Sequence, residues 1–193
     1  TPTEIISDLE FGLPGKHNLT NALMALAMAK TFGTSNEDIA AALKSFKGIK
    51  RRFSYQIKES NLVYIDDYAH HPTEIDAVFQ AVSELYPNQK VLAIFQPHLF
   101  SRTRDFADGF AKSLSKFDEV LLLDIYPARE LPIEGITSSW LLDKMTNNDK
   151  KVVSKSDLIT EILKSEARII VTIGAGDIGE LVPSIKLALQ NKN

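Results

Sequence analysis

The sequence predicts an α/β fold, a mostly parallel sheet with flanking helices, preceded by a short helical remnant of another domain. Three observations carry this. Strand-length runs recur at Leu62–Asp66, Val91–Phe95, Val120–Leu123, Val152–Val153 and Ile169–Ile173. Helical stretches separate them, and strands alternating with helices of this length argue for right-handed βαβ units in a Rossmann-like sheet. Before Arg51 the pattern differs, with helix-forming segments and almost no strand.

In chain order, the alternation over Glu4–Glu10 predicts a short strand and Gly12-Leu13-Pro14-Gly15 a turn. An Ala-rich segment from about Asn18 to Phe32 predicts a helix with Leu19, Leu23, Leu26 and Ala27 on one face. Gly33 is its expected stop, and Ser35 with Asp38 three residues on is the expected cap of a second helix ending near Phe46. Two helices and a strand bury little core, so residues 1–50 are expected to be the C-terminal end of another domain. Thr1, standing in place of an initiator Met, is expected to mark the edge of a piece of a longer chain. Residues 51–193 are expected to form the second domain. There, Arg52–Lys58 is an extended opener and Glu59-Ser60-Asn61 a turn. Ile75, Val78, Phe79 and Val82 fall at i, i+3, i+4, i+7 in a helix over Thr73–Tyr86, with Pro72 suited to its first turn. Phe106, Phe110, Leu114 and Phe117 mark the next helix.

Composition narrows the function. The chain of 193 residues is 44% hydrophobic and 24% charged, ordinary for a globular protein. Its 22 basic and 25 acidic residues give a net charge of −3, which speaks against a nucleic-acid partner. The lack of cysteine excludes disulfides, thiolate zinc sites and cysteine nucleophiles. No apolar run approaches the roughly 20 residues needed to cross a bilayer, and no signal sequence opens the chain. A cytoplasmic location without a membrane partner is the expectation.

In open α/β sheets, ligands gather beyond the carboxyl ends of the strands. Four loops leave such ends: Asp66–Pro72, Gln96–Arg102, Asp124–Thr137 and Gly174–Ile178. His70, His71 and His98, three of the four histidines, lie in the first two, and Arg102, Arg104, Arg129 and Glu130 in or just after the second and third. The first loop places Asp66, Asp67, His70 and His71 within six residues, able to hold a divalent metal, orient a phosphate or shuttle protons. The plain alternative is a polar loop in which Asp caps the next helix. Their spacing matches no common zinc pattern, so no metal ligand is assigned. In the second loop, His98 and Arg102 read as functional, the guanidinium being a planar fork for carboxylate or phosphate. Thr103 and Asp105 read as possible helix caps and Arg104 as a surface charge. Gly174–Gly179 has the letters of a dinucleotide fingerprint, but such a fingerprint opens its domain and needs an acid about 20 residues on. NAD is therefore not expected, while a turn offering backbone N–H groups to an anion is. Gly12–His17 misses the P-loop pattern: its spacing is too short and His17 replaces Ser or Thr, so any triphosphate cradle is expected outside these residues.

As a set, these motifs resemble the Mur ligases. Gly15–Ala22, Phe46-Lys47-Gly48 and Arg51-Arg52-Phe53 are similar to the end of that family's central ATPase domain, and Asp66–Glu74 to the start of its C-terminal domain. Gln96-Pro97-His98, Ser101–Asp105, Tyr126–Glu130 and Gly174–Gly179 narrow the resemblance to the branch that adds L-alanine to UDP-N-acetylmuramate. The resemblance implies an ATP- and Mg²⁺-dependent, cytoplasmic ligase of peptidoglycan synthesis, working through an acyl phosphate with the remaining domains of the same polypeptide. This chain alone is expected to be inactive and to bind no cofactor tightly. It further implies that Asn18 and Asn21 contact adenine and that Arg52 and Asp67 lie on the nucleotide side. His70 would face the transferred phosphoryl group, where other members carry lysine, and Tyr68, His98 and Arg102 would line the muramoyl-alanine end. Leu99 departs from the Arg that many members have. The second loop favours the alanine-adding branch over the related ligase that attaches a recycled tripeptide. A metal-dependent phosphoesterase built on Asp66, Asp67, His70 and His71 is the alternative of another class.

Overall fold

The structure is a computed structural model and describes residues 5–192. It divides between Ile49 and Lys50 into two compact units.

The first unit holds α1 (Lys16–Thr31) and α2 (Asn36–Ser45). The expected strand over Glu4–Glu10 does not form over residues 5–10. Glu4 and Thr1 lie outside the described residues. Among the described residues this unit has no other strand to pair with, and an isolated strand has no ladder to satisfy its backbone. Gly33 ends α1 as expected. At φ 81° it donates to Lys30 O while Thr34 N donates to Ala29 O, the two bonds of a Schellman stop. Ser35 Oγ accepts from Asp38 N at 3.1 Å and starts α2. The expected apolar face of α1 is not buried: Leu19 and Leu23 are exposed, as are Met24 and Met28. Within this unit only Ala22 and Ile39 are buried among the described apolar residues, because a single helix pair covers one narrow strip.

The second unit is a six-stranded sheet of β1 (Ser54–Lys58), β2 (Val63–Asp67), β3 (Val91–Phe95), β4 (Glu119–Leu122), β5 (Asp149–Val152) and β6 (Ile169–Ile173). The order is β1-β2-β6-β3-β4-β5, with β1 antiparallel to β2 and every other pair parallel. Side chains alternate between two cores. Val63, Ile65, Ala93, Phe95, Val171 and Ile173 face the one built with α3 (Pro72–Leu85), α5 (Ala107–Leu114) and α6 (Ser138–Asp143). Tyr64, Leu92, Ile94 and Ile170 face the other, with α7 (Leu158–Lys164) and α8 (Ile178–Lys192). Burial on both faces is why the central strands read as continuous apolar runs. The edge strand β5 carries Lys150 and Lys151, charges that discourage further pairing.

Three boundaries differ from expectation. The expected run Leu62–Asp66 extends one residue further, so Asp67 belongs to β2 rather than to the loop after it. The helix marked by Phe106, Phe110, Leu114 and Phe117 is two helices, α4 (Phe100–Asp105) and α5, broken at Phe106 (φ −114°, ψ 18°). Phe117 lies past the end of α5 and packs edge-on against Phe79, with centroids 5.2 Å apart. Arg102 consequently stands on α4, and the loop after β3 is only four residues long.

Candidate active site

The carboxyl ends of β2, β6, β3 and β4 lie side by side along one edge of the sheet. At the end of β2 the two aspartates turn to different partners. Asp66, 1% exposed, accepts from Arg51 Nε at 3.0 Å and from Thr172 Oγ1 on β6 at 2.9 Å. Arg51 also donates to Gly174 O at 2.6 Å, and its guanidinium lies 5.2 Å from the Tyr68 ring centroid. Asp67 accepts from Phe53 N at 2.7 Å and from Ala69 N at 2.8 Å. Burial pushes its pKa up, against the pull of those two bonds and of Arg52. Both carboxylates are thus matched by donors, which is what makes their burial tolerable.

The histidines also part company. His70 N donates to Glu74 Oε2 at 2.8 Å, and His70 Nδ1 lies 2.9 Å from Tyr68 O and 3.4 Å from Glu74 Oε2. A carbonyl only accepts, so Nδ1 carries the proton and Nε2 is left for a ligand. His71 caps α3: its Nδ1 accepts from Thr73 N, and its ring meets Phe106 edge-on at 4.7 Å. The capping residue is therefore His71 and neither aspartate. Asp66, Asp67, His70 and His71 do not converge on a point, and among the described residues no three His, Asp or Glu side chains group as metal ligands.

His70, Tyr68, His98 and Arg102 do come together. The His70 ring lies 5.4 Å from Tyr68 and 6.3 Å from His98, and His98 stacks on Tyr126 at 5.6 Å. Arg102 Nη1 is 3.4 Å from His98 Nδ1, one helical turn away. Burial, then Arg102 and His70, hold His98 below its ordinary pKa, with Glu130 opposing. Arg52 is half-exposed and reaches within 3.9 Å of Glu74 Oε1, so Glu74 stands between Arg52 and His70. Sequence reasoning gave Glu74 no role. The available signal was its place four residues after His70, in the first turn of a helix. Arg51, Thr172 and Gln96 were also missed as parts of the site.

Several outcomes correct the expectations. Thr103 lies within α4 and donates to Leu99 O at 2.8 Å, and Asp105 ends that helix paired with Arg104, so neither caps it. Arg104 is a surface charge, as expected. The Gly174–Ile178 turn fits against protein: a Cβ at Gly174 would come 2.9 Å from Gln96 O, and one at Gly176 2.8 Å from Tyr126 Cβ. The Ile178 N–H is taken by Gln96 Oε1 at 2.9 Å, leaving less for an anion than the sequence suggested. Asp177, which burial would raise, is brought below its ordinary pKa by Lys155 and Gln96. Four residues with positive φ cluster around these loops: Arg51 (61°), Phe53 (47°), Leu99 (73°) and Ala128 (50°). Such conformations cost about 1–3 kcal/mol each and collect where function dictates geometry. In the first unit, Asn18 Nδ2 donates to Pro14 O at 2.6 Å, Asn21 is exposed, and Gly15 (φ 93°) is the N-cap of α1.

A mostly parallel α/β sheet thus gathers His, Arg and carboxylate groups at its strand ends, the place where such sheets carry their ligands. The family Mur ligase, glutamate ligase domain, matches residues 51–176, and the chain belongs to the Mur ligases. Its 193 residues are 75% identical to the UDP-N-acetylmuramate–L-alanine ligase of Flavobacterium johnsoniae, covering all of this chain and 43% of that protein. Among solved structures, the UDP-N-acetylmuramate-alanine ligase MurC of Thermotoga maritima superposes with a TM-score of 0.76 at 28% identity, over 96% of this chain and 40% of that one. A murein peptide ligase of Psychrobacter arcticus gives 0.67 at 26% identity, over 95% and 39%. The chain spans less than half the length of the curated relatives it matches.

Proposed function

We propose that this chain is the C-terminal part of an ATP-dependent ligase that joins L-alanine to UDP-N-acetylmuramate. The observation that carries the reading is identity along the whole chain to enzymes so named. The site is consistent with it. In the reaction, ATP phosphorylates the lactyl carboxylate, the amine of L-alanine attacks the acyl phosphate, and an amide, ADP and phosphate result. Such chemistry rests on positioning and on neutralising charge. His70, its ring fixed by Tyr68 O and Glu74, presents Nε2 to the transferred phosphoryl group. Arg52 serves the nucleotide side. Asp67, with both oxygens on backbone N–H groups, acts there by holding Phe53 and Ala69 in place. Tyr68, His98 and Arg102 line the acceptor side, and Asn18 and Asn21 serve the adenine. Magnesium accompanies ATP in this reading, and no residue of this chain is assigned to it, so none of these roles runs through the metal. The phosphate loop, the UDP-sugar domain and a cytoplasmic setting belong to the parent protein.

The divergence of Asp66, Asp67, His70 and His71 removes the basis for a phosphoesterase. The test is ADP release by the full-length protein with UDP-N-acetylmuramate and candidate amines. Turnover should require both the UDP-sugar and L-alanine, and hydroxylamine should intercept the acyl phosphate as a hydroxamate. Preference for a tripeptide over L-alanine would move the enzyme to the recycling branch.

A further inference from the structure

The helix that carries Arg102 has no cap of its own. Leu99 occupies the N-cap position of α4, its apolar side chain accepts nothing, and it is held at φ 73°. The first N–H groups of a helix need acceptors, and a carboxylate suits that end best. One arrives from 29 residues on: Glu130 Oε2 accepts from Ser101 N at 2.9 Å, and Glu130 Oε1 accepts from Ser101 Oγ. These bonds hold the Glu130 carboxyl below its ordinary pKa.

The segment that presents Glu130 is itself fixed. His98 and Tyr126 pair as a parallel bridge, Leu99 N donates to Tyr126 O at 2.9 Å, and Tyr126 N donates to Pro97 O at 2.8 Å. A turn closed by Glu130 N on Pro127 O at 2.9 Å, with Ala128 at φ 50°, then swings the carboxylate onto α4. The loops after β3 and β4 are therefore joined at both ends, by the bridge at His98 and by the carboxylate at Ser101. Arg102 is the next residue along, and its guanidinium meets His98 between those two ties.

We propose that Glu130 is a positioning residue: by capping α4 from the loop after β4, it fixes the direction in which Arg102 and His98 meet the acceptor substrate. This rests on the acceptor-side reading above. The charged groups facing Glu130 are His98 and Arg104, and those facing His98 are Arg102, His70 and Glu130.

Two experiments decide it. In the 193-residue chain, Glu130→Ala should speed amide exchange at Ser101 by about tenfold or more while the β3 amide of Ile94 stays protected. The same substitution should lower the NMR-observed pKa of the His98 ring, since an opposing carboxylate is lost. Unchanged Ser101 exchange overturns the cap. In the full-length ligase, Glu130→Ala should reduce kcat/KM about tenfold or more, with Glu130→Gln recovering part. Because Glu130 acts through Arg102 and His98, the Glu130→Ala/Arg102→Ala double variant should lose clearly less than the product of the two single losses. Multiplicative losses overturn the positioning role, as does normal turnover of Glu130→Ala beside a crippled Arg102→Ala. Normal turnover of Arg102→Ala instead overturns the acceptor-side reading, and the positioning role falls with it.

Discussion

His70 has one ring nitrogen committed to Tyr68 O and the other available, which suits a group that neutralises charge without moving. If its work is cationic, His70→Lys in the full-length enzyme retains part of the activity, as the lysine of related ligases implies. His70→Ala should lose on the order of 10²-fold or more in kcat/KM, typical for removal of one preorganised stabilising group. His71→Ala should instead cost about 1 kcal/mol of stability by removing the cap of α3, with turnover little changed. Equal inactivity of all three variants in steady-state kinetics would discard the cationic role. His98 carries a second prediction. Its folded pKa lies below the ordinary 6.5, so on acidification the unfolded chain takes up that proton first. Its contribution to stability is therefore complete above 6.5 and is lost as pH falls from there through the lower folded value. Asp67 has the opposite sign. Its raised pKa favours the folded state in acid, and this is lost as pH rises above 3.8 through the folded value. His98→Gln should accordingly shrink the fall in melting temperature between about pH 7.5 and about pH 5.5. An undiminished fall would show that His98 titrates alike in both states. Residue type and spacing left Asp66 level with Asp67 and His70 level with His71, and only the family resemblance singled out Asp67 and His70. What separates them is Arg51, Thr172, Glu74 and Phe106, partners set by tertiary structure.

At the scale of elements, the strands were legible because burial on both faces writes them as apolar runs, and α3 because its 3.6-residue period is strong. The break between α4 and α5 was not, since Phe106 keeps the aromatic spacing while its ring serves His71. The glycine turn after β6 misled in another way. Its letters suit a phosphate, yet its small residues are required by Gln96 and Tyr126, which press against it. Gly176→Ala should therefore destabilise the chain by about 1–3 kcal/mol, the usual cost of forcing volume into packed structure. Ala128→Gly makes the contrasting case: at φ 50° the alanine is strained, so glycine should leave stability unchanged or raise it by up to about 1 kcal/mol. Urea denaturation of both variants checks the pair. A tolerated Gly176→Ala would mean the turn has room to spare and restore the case for a ligand there.

At the scale of the molecule, the two units differ in kind. The second carries both extended cores, whereas the first buries only Ala22 and Ile39 among its described apolar residues. That contrast was legible as a change in pattern near Arg51, because a six-stranded sheet repeats its signals and a helix pair does not. It bears directly on catalysis. Phosphoryl transfer needs a cradle of backbone N–H groups and a lysine around the β- and γ-phosphates. The nearest approach to that pattern, Gly12–His17, has neither the spacing nor the hydroxyl, and its Gly15 is already used to begin α1. The purified 193-residue chain should consequently neither hydrolyse ATP nor form UDP-N-acetylmuramoyl-alanine, because the positioning proposed for His70, His98 and Arg102 accelerates only a substrate that something else holds. The full-length ligase assayed beside it should release ADP in proportion to amide formed. Measurable ligase turnover by the chain alone would show that its own residues cradle the triphosphate, and the division of labour between this chain and the rest of the parent protein would have to be redrawn.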